Sequence, residues 1–321
     1  MQVVYWARLG LARPQVTAAL QAVPGATLTV VDTLPELLAA LPGAEALLTY
    51  DAPPPLARQI VAAIEAPESR LRWLHILTAG REGFEAAGMP RRIPVSWAAG
   101  AVAPAVAEHA MALLLALGRQ VPAVLAQQAK AHWDRGFTTR ATSLEGATLA
   151  IIGMGHIARE LAPRARAFGM RVEAVTRTAR PEQAVDAVHP LPALHGVLAR
   201  TDAIVVAINL APATQHLFNS DAFAACKRGA LLVNVGRGGL VDQAALIAAL
   251  QSGQLGGAGL DVTDPEPLPD GDPLWFAPNL IIAPHFAASG SGRSMARIAE
   301  GAAGNLRRLL AGEPLHNLVE G

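Results

Sequence analysis

The chain has 321 residues, 52% hydrophobic and 16% charged, which is enough apolar material for a large core and a length that suits two domains. Its 26 basic and 26 acidic residues balance to a formal net charge of +0, so no global field draws in nucleic acid or an anionic membrane, and any anion must be held locally. The single cysteine, Cys226, excludes an internal disulfide, no His/Cys spacing suits zinc, and no run approaches the roughly 18 to 20 apolar residues of a membrane span. The opening M-Q-V-V-Y-W-A-R lacks the basic start and apolar core of a targeting segment, so a soluble, cytoplasmic chain without structural metal is expected.

From the N-terminus, short β-rich runs at residues 3–6, 27–31, 46–49, 73–77 and 93–97 alternate with Ala/Leu-rich helical segments. Such alternation predicts a parallel sheet covered by helices. Residues 103–119 carry few polar positions and no helix breaker after Pro104. They read as a helix buried on most faces, suited to a domain junction or a subunit interface, with Glu108 and His109 as a satisfied buried pair. A second series begins near Thr148: a strand at 148–152, a helix, a strand at 171–175, then apolar runs at 203–208, 230–235, 257–262 and 280–283. It predicts a second parallel-sheet unit. After Ser289 a long helical pattern runs to about Leu310 and stops at Ala311-Gly312, where glycine suits a helix end.

Gly153-Met154-Gly155-His156-Ile157-Ala158 lies between a strand and a helical segment that ends at Gly169. In that context the first glycine permits a tight turn, the second lets backbone approach a pyrophosphate, and Ala158 allows close helix-to-strand packing. The helix start, at His156 and Ile157, turns N–H groups toward the phosphates. Folds that prefer NAD place an acid at the end of the second strand, where it meets the ribose 2′-hydroxyl. Here that strand ends Ala174-Val175-Thr176-Arg177, and Glu173 lies inside it, several residues early. Arg177, backed by Thr176 and Arg180, suits a 2′-phosphate instead, because guanidinium makes charge-assisted, bidentate hydrogen bonds to phosphate oxygens. NADP in preference to NAD is therefore expected, against a plainer reading of two solvated surface arginines.

Three downstream stretches each place a polar side chain just after an apolar strand: N-V-G-R-G-G-L-V-D with Arg237, L-D-V-T-D-P-E-P-L with Glu266, and A-P-H with His285. In an open α/β sheet the carboxyl ends of the strands border the ligand crevice, so these three can converge there. Brought together, an imidazolium can protonate an oxygen that gains charge, a carboxylate beside the imidazole fixes its tautomer, and arginine matches a carboxylate fork. Asp261 reads as a supporting acid near the cofactor, with a packing cap as the other reading.

The chain resembles the D-isomer-specific 2-hydroxyacid dehydrogenase family over nearly its whole length. The matching pieces, in order, are V-A-E-H-A-M-A-L-L-L-A-L, G-M-G-H-I-A, P-A-T-Q-H-L and the three stretches above. The resemblance implies a Rossmann-like nucleotide-binding domain, residues 100–287, inserted into a flavodoxin-like substrate domain made of 1–99 and 288–321. It also implies a homodimer. By matching motif, Arg237 would bind the substrate's carboxylate and carbonyl oxygen, His285 would be the acid/base and Glu266 its partner. Leu77 to Gly83 matches the family's substrate loop, in which the N–H groups of Ala79 and Gly80 would hold the substrate carboxylate. Two departures stand out: Arg81 replaces an apolar residue, and Trp97 stands where asparagine is common. Arg81 beside the loop suggests a second anionic group on the substrate, or a simple surface arginine.

The expected activity is reduction of a small 2-oxo acid to a D-2-hydroxy acid, with NADPH preferred over NADH and with glyoxylate or hydroxypyruvate suggested by the resemblance. Two alternatives remain: formate or phosphite oxidation on the same scaffold, and a non-catalytic dinucleotide-sensing binding protein.

Overall fold

The computed structural model describes residues 1–319, which fall into two compact units. One comprises Met1–Val102 and the chain from Gly290 onward, the other Ala103–Ser289. The divisions fall at 102/103 and 289/290, against 99/100 and 287/288 read from the sequence.

The first unit runs β1 (Gln2–Trp6), α1 (Arg13–Gln21), β2 (Thr27–Val31), α2 (Leu34–Ala40), β3 (Ala46–Thr49), α3 (Pro54–Glu65), β4 (Trp73–Ile76), α4 (Glu82–Ala87) and β5 (Val95–Trp97). The strands pair in parallel in the order β2-β1-β3-β4-β5. β3 and β4 are buried along their whole length, as interior strands of a parallel sheet should be, whereas β2 at the edge alternates exposed and half-buried residues before Val31 is buried. Side chains alternate across the sheet: Tyr5, Leu48 and Trp73 join one core, while Val4, Leu47 and Leu74 join another with Ile60 and Phe84.

The second unit runs α5 (Ala103–Gly118), α6 (Val121–Ala129), β6 (Thr148–Ile152), α7 (His156–Ala167), β7 (Arg171–Thr176), β8 (Ala187–Pro190), α8 (Leu194–Leu198), β9 (Ala203–Val206), α9 (Ser220–Ala225), β10 (Ala230–Asn234), α10 (Gln243–Gln251), β11 (Leu255–Leu260) and β12 (Leu280–Ile282). Its sheet is also all parallel, in the order β12-β11-β10-β9-β6-β7-β8. The edge strand β8 was not anticipated. Half-buried and ending in proline, it has none of the apolar run that marks the inner strands. β11, L-G-G-A-G-L, is rich in glycine because α5 lies directly on it: a Cβ at Gly257 or Gly259 would come within 3.1 Å of Leu117 or Leu113.

α11 (Gly292–Ala311) closes the first unit, its Ile298, Ala302 and Leu306 packing into the core of Tyr5 and Trp73. Gly312, at φ +70°, ends it in the left-handed conformation that favours glycine. Among the described residues no single helix is long and apolar enough to cross a membrane; α5 and α6 together would pass on composition, but they are bent by 65° at their break.

Candidate active site

Because the seven strands of the second unit are parallel, the residues that follow β6, β7, β10, β11 and β12 all emerge at one edge of the sheet. Gly153 follows β6 with φ +105°, and a Cβ there would lie 2.6 Å from the Ala207 carbonyl oxygen, so only glycine makes this turn. Gly155 precedes α7 with open space where a Cβ would stand, and α7 has no side-chain cap. His156 and Ile157 thus begin a helix whose N–H groups can meet an anion, while Ala158 is fully buried against the strand. This cradle fits a pyrophosphate.

At the end of β7, Arg177 and Arg180 are exposed, whereas Thr176 is buried and donates its hydroxyl to the Thr178 carbonyl at 2.9 Å. Glu173 is occupied elsewhere. Its carboxylate accepts from Arg200 at 2.6 Å, His189 at 2.9 Å and Arg171 at 3.2 Å. Burial alone would raise its pKa, but these three donors outweigh that and hold it below the usual range.

The later loops are tied to one another. Asn234, fully buried at the end of β10, accepts from the Gly236 N–H at 3.0 Å and donates to the Arg237 carbonyl at 2.9 Å, shaping the turn that presents Arg237. A Cβ at Gly238 would sit 1.9 Å from the Thr263 carbonyl oxygen, so this turn lies directly against the loop that carries Glu266. Glu266 accepts from the Thr263 N–H at 3.1 Å through one oxygen, and its other oxygen lies 2.8 Å from His285 Nδ1. That contact sets the tautomer: Nδ1–H donates to the carboxylate and Nε2 is the nitrogen left to meet a substrate. Both side chains remain partly open, at 52% for His285 and 38% for Glu266.

His285 has φ +50°, uncommon for a residue with a side chain. Asp261 secures it. The Asp261 backbone oxygen accepts from the His285 N–H at 2.8 Å, and its buried carboxylate accepts from the N–H groups of Phe286 at 3.0 Å and Ala287 at 3.3 Å. The carboxylate therefore braces the histidine loop, in keeping with the packing-cap reading. His109 Nε2 lies 3.4 Å from the same carboxylate, with its ring edge-on to Phe286 at 4.8 Å. The expected Glu108–His109 pair does not form: adjacent positions on a helix face different ways, so Glu108 points to solvent while His109 turns to Asp261. Asn234, His109 and Phe286 were missed as site-shaping residues, since each acts through contacts between distant segments.

In the first unit, Thr78 shapes the loop after β4 by accepting from the Asp51 N–H at 3.0 Å and donating to the Gly80 carbonyl at 2.7 Å. Asp51 in turn accepts from the N–H groups of Gly83 and Phe84 at the start of α4. Ala79 is exposed and Gly80 half-buried. Arg81 pairs with Glu85 at 2.7 Å, and its guanidinium lies 4.5 Å from the centre of the Trp97 ring, so the two departures from the family pattern touch each other.

The family model for the D-isomer specific 2-hydroxyacid dehydrogenase NAD-binding domain matches residues 111–287. The human glyoxylate reductase/hydroxypyruvate reductase is 33% identical over 256 residues, covering 78% of this chain and 78% of that protein. The D-3-phosphoglycerate dehydrogenase of Mycobacterium tuberculosis is 36% identical over 279 residues, 87% of this chain, but the match covers only 51% of that longer protein. Among solved structures, a D-isomer specific 2-hydroxyacid dehydrogenase family protein from Aeromonas salmonicida superposes with a TM-score of 0.85 at 31% identity, covering 99% of this chain and 98% of that one. An NADPH-dependent glyoxylate/hydroxypyruvate reductase from Sinorhizobium meliloti, solved with NADP and sulfate, superposes with a TM-score of 0.83 at 26% identity, covering 99% and 98%. Two parallel-sheet α/β units, a glycine cradle for a nicotinamide dinucleotide and these matches agree: the chain belongs to the D-isomer specific 2-hydroxyacid dehydrogenase family.

Proposed function

We propose that the protein reduces small 2-oxo acids, of the size of glyoxylate or hydroxypyruvate, to D-2-hydroxy acids with NADPH as the preferred reductant. The observation that carries this reading is the 2.8 Å contact between His285 Nδ1 and Glu266, which commits Nε2 to the substrate. A nicotinamide dinucleotide, held by the cradle of Gly153, Gly155, His156 and Ile157, would supply the hydride when bound. Arg237 holds the carboxylate and steadies the carbonyl oxygen, and His285 delivers the proton from Nε2 as charge develops on that oxygen. Glu266 keeps the imidazolium oriented and balanced. In the first unit, the N–H groups of Ala79 and Gly80 grip the substrate carboxylate, with Arg81 held ready by Trp97 and Glu85 beside them.

Preference for NADPH rests on Arg177 and Arg180, exposed at the end of β7 where the nearest acid, Glu173, is already held by Arg171, Arg200 and His189. The reductase from Sinorhizobium meliloti, which is named as NADPH-dependent, supports the same direction. A homodimer is the matching assembly. Val121, Val124, Leu125 and Trp133 leave apolar surface exposed on and after α6, with Trp133 at 90%, and a second copy of the chain would cover it.

Steady-state kinetics test the chemistry. His285→Ala should lower kcat by about 10²- to 10⁴-fold, and Arg237→Ala should lower kcat/KM by about 10²- to 10³-fold, with NADPH still binding. Near-wild-type rates in either variant would refute the assignment. Arg177→Ala should raise the KM for NADPH by roughly 10- to 100-fold, the worth of hydrogen bonds to a charged group, and leave NADH unaffected. An unchanged cofactor ratio would reduce the two arginines to surface charges. In sedimentation velocity the wild type should run as a dimer and Leu125→Glu as a monomer; a dimeric variant would mean that the interface lies elsewhere.

A further inference from the structure

The loop that follows β4 treats its backbone donors in two ways. The N–H groups of Ala79 and Gly80 have no hydrogen-bond partner among the described residues. Those of Gly83 and Phe84 both go to one side chain, 32 and 33 positions away: Asp51 accepts from Gly83 at 3.0 Å through Oδ2 and from Phe84 at 3.1 Å through Oδ1. A loop with all of these donors open would have no fixed face to offer an anion.

Asp51 lies in the segment after β3, the neighbour of β4 in the sheet. Besides the two carboxylate bonds, its N–H donates to Thr78 Oγ1 at 3.0 Å and its carbonyl accepts from Arg8 at 2.7 Å, so every hydrogen-bonding group it has is engaged. Thr78 in turn donates its hydroxyl to the Gly80 carbonyl at 2.7 Å. Asp51 thus holds residues 78–84 at the near end through Thr78 and at the far end through Gly83 and Phe84, with Ala79 and Gly80 between.

Asp51 is itself anchored from behind. Tyr50 donates its hydroxyl to the Leu11 carbonyl and receives that of Tyr5 at 2.6 Å; these are the only two tyrosines of the chain, and both are fully buried. Gly83 is pressed onto the same segment, since a Cβ there would fall 1.7 Å from the Ala52 carbonyl oxygen. An ordinary helix cap does not account for this arrangement. The capping position of α4 is Arg81, whose side chain has donors only, so the acceptor comes from another strand. That explains the bonds to Gly83 and Phe84 but not the bond to Thr78, which serves the loop and not the helix.

We propose that Asp51 is a positioning residue for the substrate: by fixing the loop at both ends, it presents the open N–H groups of Ala79 and Gly80 together to the carboxylate of the 2-oxo acid. This rests on the reading of the loop as the substrate grip. Its kinetic signature follows from the chemistry. The carboxylate keeps its charge while the carbonyl is reduced, so its grip is equally strong before and during hydride transfer. Loosening that grip raises KM while kcat holds. Loss of His285, which meets the oxygen that gains charge, acts on kcat instead.

Two measurements on the full chain test it: steady-state rates with glyoxylate at saturating NADPH, and backbone ¹⁵N NMR titrated with oxamate, an unreactive amide analogue of a 2-oxo acid. Asp51→Ala and Thr78→Val should each raise the KM for glyoxylate by about 10- to 100-fold with kcat within about threefold, and Thr78→Ser should restore the wild-type KM. In the wild type oxamate should shift the Ala79 and Gly80 amides saturably, and in Asp51→Ala the same concentrations should leave them unmoved. Unaltered resonances of Tyr5 and Tyr50 show that a variant has kept its fold. If Asp51→Ala has not, Asp51→Asn, which keeps one acceptor oxygen, carries the test with an intermediate KM. A wild-type KM in a folded Asp51→Ala, a loss confined to kcat, or a Thr78→Ser variant that behaves as Thr78→Val would overturn the proposal and leave the substrate grip standing. Ala79 and Gly80 amides that oxamate leaves unmoved in the wild type would remove the grip itself, and the proposal with it.

Discussion

One buried carboxylate, Asp261, ties together the loops that carry the candidate site of the second unit. Standing directly after β11, it receives the backbone N–H groups of Phe286 and Ala287 through its side chain and that of His285 through its own carbonyl. Its own N–H is held by the Asn234 carbonyl at the end of β10, so the ends of three neighbouring strands are locked together. A histidine at φ +50° is costly on its own and persists because these bonds over-determine it. The 2.8 Å contact with Glu266 depends on that fixed backbone.

Close approach is the second constraint, and glycine is its instrument. Gly153 lets the cradle turn under the Ala207 carbonyl, and Gly238 lets the Arg237 turn lie against Thr263. Each removes a Cβ from a place where backbone must pass backbone, and so allows side chains from separate strands to face one edge of the sheet.

Much of this was legible in the sequence, because parallel strands buried on both faces leave continuous β-branched and leucine runs. T-L-A-I-I became β6 and A-I-V-V became β9, while the edge strand β8, with its proline and half-buried side chains, left no such signature. Glu173 was recognised as misplaced for a ribose, but the three side chains that occupy it come from residues up to 27 positions away. The partner of His109 was misread for the same reason: helix periodicity tells which face is buried but not that Asp261 waits there. More distant still, Ser96 of β5 accepts from Asn305 across 209 residues. Hydrogen bonds between segments that far apart leave no local pattern to read.

The account turns on whether the His285–Glu266 pair works on a carbonyl. Initial rates of nicotinamide oxidation, taken for NADPH and NADH against glyoxylate, hydroxypyruvate, pyruvate and bulkier 2-oxo acids, test this most directly. The account predicts turnover with the small acids at kcat/KM of about 10⁴ M⁻¹s⁻¹ or higher, falling as the side chain grows and faster with NADPH. Tight dinucleotide binding with no oxidation by any 2-oxo acid would contradict it and favour a protein that senses the dinucleotide without turning it over.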